Sequence, residues 1–96
     1  MSPTNKKKLD LIRNRLDKLD TELLKLIKKR SNLVNDVLKV KIQKKEIIDQ
    51  RRIKFILKKI KKKSIQLNID PKISNRIWKN MIWSFIDYEK RNFKKK

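Results

Sequence analysis

From Leu9 to Val40 the chain repeats one pattern without a break. Leu9, Ile12, Leu16, Leu19, Leu23, Leu26, Arg30, Leu33, Val37 and Val40 follow one another at spacings that alternate three and four. That period lines one face of a helix. No Pro or Gly interrupts it, so a helix is predicted from about residue 5 to about residue 43, roughly 60 Å long at about 1.5 Å per residue. Arg30 is the one charge in the stripe. A guanidinium placed there must meet an anion or acceptors, at a cost of several kcal/mol if it does not. Otherwise it sets register, or lies with its stem in the core and its head in water.

Two shorter helices complete the reading. After a connection at residues 44–48, Asp49 is placed to cap a second helix, about 49–67, with Ile53, Ile56, Leu57 and Ile60 on one face. Asn68-Ile69-Asp70-Pro71 ends it and opens a third, about 71–92, because Asp suits the cap and Pro the first helical position. Ile77, Trp78, Met81, Ile82, Phe85 and Glu89 share a stripe there. Glu89 thus repeats the Arg30 anomaly with opposite sign, or is an acid at a fraying end. Residues 5–8 and 93–96 are expected to be mobile and basic. The expected fold is all-α: one domain, 1–96, of one long and two shorter helices, too small to bury a comfortable core alone and so sharing it with a second copy.

Lys and Arg number 30 against 10 Asp and Glu, a formal net charge of +20. That points to an anionic partner: nucleic acid, membrane surface or small molecule. The signal is diluted, because a chain rich in Lys, Ile and Asn without Gly or Ala also reflects A/T-rich codons. Lacking Cys and His, it offers no thiolate, imidazole base, disulfide or ordinary zinc site. No metal or cofactor is expected. The start, MSPTNKKKLDLIRNRLD, lacks an uninterrupted apolar segment, and no stretch approaches the roughly 18 apolar residues of a membrane span. A soluble, cytoplasmic protein is expected.

Four basic residues stand apart from the lysine background: Arg13, Arg30, Lys41 and Arg52. Arg30 and Lys41 are three helical turns apart, offset by about 20° and about 16 Å, so two long side chains there can close on one small ligand. Arg13 lies about 25 Å from Arg30 along the helix, too far to share that ligand within one subunit. It can join only from an antiparallel partner helix. Each of the four is also compatible with a solvated surface.

Together these residues resemble the small all-helical (AroQ-class) chorismate mutases, over about residues 9–91. The segments that carry the resemblance are Leu9-Asp-Leu-Ile-Arg13, Leu16-Asp-Lys-Leu19-Asp20, Leu23 to Arg30, Val37 to Lys41, Asp49-Gln-Arg-Arg52, Asp70-Pro71 and the Trp78 to Glu89 stripe. No single motif is specific; their order and spacing are. The resemblance implies an intertwined homodimer that rearranges chorismate to prephenate in aromatic amino-acid biosynthesis, with neither proton transfer nor a covalent intermediate. It implies that Arg13 of the partner and Arg30 bind the two carboxylates and that Lys41 reaches the ether oxygen. Arg52 would add charge, Asp49 would orient the second helix, and Glu89 would contact the same ether oxygen. A glutamate donates a hydrogen bond there only when protonated. Catalytic roles thus fall on Lys41, Arg52 and Glu89, with Arg13, Arg30, Asp49, Ile53 and Phe85 binding substrate.

Two positions depart from the family pattern. Ile53 stands where many members place a glutamate for the substrate hydroxyl, and Phe85 where some have serine. An apolar residue after the arginine also resembles the related isochorismate-pyruvate lyases, the alternative on the same fold. Outside it stand a basic helical nucleic-acid binder, whose affinity would collapse with salt, and a coiled-coil adaptor, which would gain stability from Arg30→Leu without losing function. The lysine-rich surface also suits association with another enzyme of the same pathway.

Overall fold

A computed structural model describes residues 2–41 and 43–94. Three α-helices and one short 3-10 turn account for them: α1 (Pro3–Val40), the turn (Lys44–Ile47), α2 (Gln50–Gln66) and α3 (Pro71–Asn92). The chain divides into two units, residues 1–33 and 34–96.

The first unit is helix alone. Ser2 caps it, its hydroxyl accepting the Asn5 backbone N–H at 3.1 Å, and Pro3 occupies the first turn where its missing donor costs nothing. Helix therefore covers the basic residues 5–8, which were expected to be mobile. None of the 38 residues of α1 is buried, and the apolar seam from Ile12 to Val40 is 46–73% exposed. Each such side chain forgoes about 1 kcal/mol of burial as it stands.

The second unit holds the core. α2 packs along α3, and the 3-10 turn packs on α3 as well. Ile47, Ile82 and Ile86 are buried, with Ile48, Ile53, Ile56, Leu57 and Phe93 against them. Two of these positions differ from the sequence reading: Ile47 sits in a stretch read as mere connection, and Phe93 packs on the core although it was read with the tail. Lys95 and Lys96 lie outside the described residues. On α3 the buried line is Ser74, Ile82, Ile86 and Glu89, while Ile77 is 52% exposed, so the inward face is rotated from the predicted stripe.

Local chemistry sets the helix ends. α1 stops at Val40 rather than near Gln43 because Gln43 is extended (φ −120°, ψ 141°) and its N–H donates to the Glu46 carboxylate at 2.9 Å, starting the 3-10 turn. Ile42, inside the predicted helix, lies outside the described residues. α2 ends with Asn68 in the left-handed region (φ 57°), Ile69 N–H donating to the Ser64 carbonyl at 2.8 Å and Asn68 N–H to that of Ile65 at 3.2 Å. Asp70 then caps α3 through the Lys72 N–H at 2.9 Å.

One buried polar contact pins this α2–α3 corner. The Ser64 and Ser74 hydroxyls are 2.6 Å apart, and that of Ser64 also lies 2.6 Å from the Ile60 carbonyl. Replacing one leaves the other short of a partner. Ser64→Ala is expected to cost about 1–2 kcal/mol in urea unfolding, and the Ser64→Ala/Ser74→Ala double variant no more than the single one.

Candidate active site

The last backbone bond of the first helix runs from Lys41 N–H to the Val37 carbonyl at 3.2 Å, which places the Lys41 side chain just where α1 gives way to the 3-10 turn. Its ammonium donates to Glu89 Oε1 at 3.0 Å and, more loosely, to the Ile47 carbonyl at 3.5 Å. The two side chains are 17% and 8% exposed. The ion pairs Lys25–Glu22, Lys39–Asp36 and Arg91–Asp87 are exposed and local, worth a few tenths of a kcal/mol. Lys41–Glu89 joins residues 48 apart in sequence and is largely desolvated. Two charges are buried together only if each makes the other tolerable.

A second bond runs beside it. Tyr88 Oη donates to Asn35 Oδ1 at 2.7 Å, so adjacent residues of α3 grip the final turns of α1 at two points. The sequence reading missed this bond, for a tyrosine and an asparagine 53 residues apart carry no pairing signal. It missed Ile47 too, although an apolar Ile47-Ile48 pair in a lysine-rich connection was a usable sign of burial.

Asp49 caps α2, its Oδ1 accepting the Arg52 N–H at 3.0 Å, and the cap orients the first turn that carries Arg52. The Arg52 guanidinium is exposed and lies 5.3 Å from the centre of the Phe55 ring, a cation–π contact that holds it over α2. Ile53 turns the other way and packs against the Ile47, Ile82 and Ile86 core, which accounts for an apolar residue here. Phe85 is half-buried on α3.

Arg13 and Arg30 belong to the first unit. Arg13 is exposed, whereas Arg30 alone among the basic residues of α1 is half-buried. An open groove of about 480 Å³ lined by Leu57, Lys58, Lys61, Pro71, Lys72 and Asn75 lies at the start of α3, at the other end of that helix from Glu89. It gathers none of the candidate catalytic or substrate-binding residues. Among the described residues, no helix is long and apolar enough to cross a membrane.

Residues 12–90 match the family described as chorismate mutase type II, a span that begins just before Arg13 and ends just after Glu89. The chain belongs to that family. A chorismate mutase of Methanocaldococcus jannaschii is 37% identical over 76 residues, covering 78% of this chain and 77% of that protein. No solved structure matches. In this type II chorismate mutase chain, the buried pair and the half-buried Arg30 are the charges most clearly withdrawn from solvent.

The pair makes a stability prediction. Lys41→Met strands a buried carboxylate and is expected to lower unfolding free energy by about 3 kcal/mol, most of it recovered in Lys41→Met/Glu89→Leu. Urea denaturation of the two variants beside the parent measures both.

Proposed function

We propose that this protein is a chorismate mutase, an isomerase that converts chorismate to prephenate by intramolecular rearrangement. The observation that carries the reading is the family match over residues 12–90, which encloses every candidate site residue. The chemistry suits the composition. A rearrangement that moves no proton needs neither imidazole nor thiol, and this chain has no His or Cys. It needs a rigid, cationic enclosure that selects the compact shape of a flexible dicarboxylate and meets the charge that develops on its ether oxygen.

In this reading Arg30, half-buried on α1, takes one carboxylate in a bidentate grip, and Arg13 of a second copy takes the other. Lys41 supplies the donor for the ether oxygen, Arg52 adds positive potential, and Asp49 holds the first turn of α2 in place. Ile53 and Phe85 form apolar wall. A second copy is supported by the apolar seam of α1, 46–73% exposed from Ile12 to Val40, which an antiparallel copy of the same helix would cover while delivering Arg13.

Ile53 favours one second reading, elimination of pyruvate from isochorismate. It packs on the core and offers the substrate hydroxyl no polar contact. Purified protein mixed with each isomer separates the two: prephenate from chorismate is expected, and pyruvate from isochorismate alone would replace the first reading by the second.

Arg30→Leu is expected to lose about 100-fold or more in turnover while its stability holds or improves. Arg13→Ala and Arg30→Ala proteins should each be nearly inactive, yet mixed and refolded together they should regain about a quarter of parental activity, because each mixed dimer has one intact site. Failure to complement would remove Arg13 from the partner's site.

A further inference from the structure

One contact between two helices leaves a pivot, whereas two fix position and rotation together. Adjacent residues of α3 supply two such points to the end of α1: Glu89 Oε1 accepts from the Lys41 ammonium at 3.0 Å, and the Tyr88 hydroxyl donates to Asn35 Oδ1 at 2.7 Å. Asn35 precedes Lys41 by six residues, about 9 Å along the helix. The two bonds differ in how much position they carry. A lysine ammonium rides on a flexible four-carbon stem and can stay in place while the backbone beneath it shifts. Tyrosine and asparagine lack that freedom, each with only two side-chain torsions and the tyrosine with a rigid ring.

Lys41 stands where such a hold matters. Its N–H makes the last backbone bond of α1, to the Val37 carbonyl at 3.2 Å, and by Gln43 the chain is extended. Helix ends fray. Asparagine is a weaker helix former than alanine or leucine, so the bond, not propensity, explains Asn35 within α1. Tyr88 and Asn35 are both half-buried. Packing accounts for a ring at position 88, and the bond accounts for the hydroxyl on it.

We propose that Tyr88 and Asn35 are positioning residues for Lys41. Their bond sets the end of α1 against α3, so the Lys41 ammonium arrives at one place rather than several. The role rests on the chorismate mutase reading, in which Lys41 supplies the donor for the ether oxygen. Neither residue touches the substrate; both act through the lysine. Such a donor serves best when it is in place before charge develops, and a displacement of about 1 Å in a reacting arrangement can lower a rate about 100-fold.

Chorismate turnover by Tyr88→Phe, Asn35→Ala, their double variant and Asn35→Asp, each well below its own melting midpoint, tests the role. Tyr88→Phe and Asn35→Ala should each lower kcat about 10-fold with KM within about twofold, and the double variant should lose no more than either. Asn35→Asp keeps an acceptor for the hydroxyl and should stay within about threefold of the parent. Tyr88→Phe keeps the ring and carries the test alone if Asn35→Ala does not fold. Nitrogen-15 relaxation without substrate reads the hold itself: the order parameter of the Lys41 amide should fall from about 0.85 in the parent to about 0.6 or below in Tyr88→Phe, while that of Ile82 is unchanged. An unchanged kcat in Tyr88→Phe, a loss of about 100-fold in the double variant as two independent effects would give, or a Lys41 amide equally ordered in both proteins overturns the proposal. So does an Asn35→Asp protein as slow as Asn35→Ala. Parental protein that turns over neither isomer overturns the assigned reaction, and this role with it. The relaxation arm needs no substrate, so the two failures are told apart.

Discussion

A helix of 38 residues with no buried side chain is a structure that depends on something else. Helical hydrogen bonds alone leave such a segment marginal in water, and most helix stability in proteins comes from packing an apolar face. Here that face runs from Ile12 to Val40 at unbroken three-four spacing, and its apolar side chains are 46–73% exposed. The core of the second unit is small by comparison, three buried isoleucines with five half-buried neighbours. In the proposed dimer, a second copy of the helix would cover the seam of α1 and carry a distant arginine to a second site in one step.

The position of the seam also governs the charges. The turns of α1 that belong to the second unit are tied to α3 by Tyr88–Asn35 and Glu89–Lys41, one bond neutral and one ionic. Exposed pairs such as Arg91–Asp87 add little to stability because water and salt screen them. The Lys41–Glu89 pair differs in kind: both side chains are largely desolvated, so the pair holds a fixed geometry while adding little net stability.

Much of this was legible in sequence, where one physical rule dominated. The Asn68-Ile69-Asp70-Pro71 corner was readable because each residue has a distinct backbone reason to be there, and the structure shows a left-handed Asn, a capping Asp and a Pro in the first turn. Glu89 was readable as a charge out of place on an apolar stripe, and Lys41 only by its distance of three helical turns from Arg30. The rotation of α3 was not, because apolar residues on several of its faces let the period fit more than one stripe, and only contact with α2 and the 3-10 turn selects the face with Ile82 and Ile86. Nor was the end of α1, since its stop signal is a Glu46 carboxylate folding back on Gln43 rather than a Pro or Gly. The bond between Lys41 and Glu89 lay beyond any pattern: spacing puts Glu89 on a stripe and Lys41 three turns from Arg30, and tertiary packing alone makes them partners.

The central claim is that the seam of α1 is covered by a second copy of this chain. Light scattering on the purified protein at micromolar concentration measures it directly. A mass about twice the 11.7 kDa of one chain, with a thermal midpoint that rises with concentration, is the predicted result. A folded, cooperatively melting species of 11.7 kDa whose midpoint ignores concentration would contradict it.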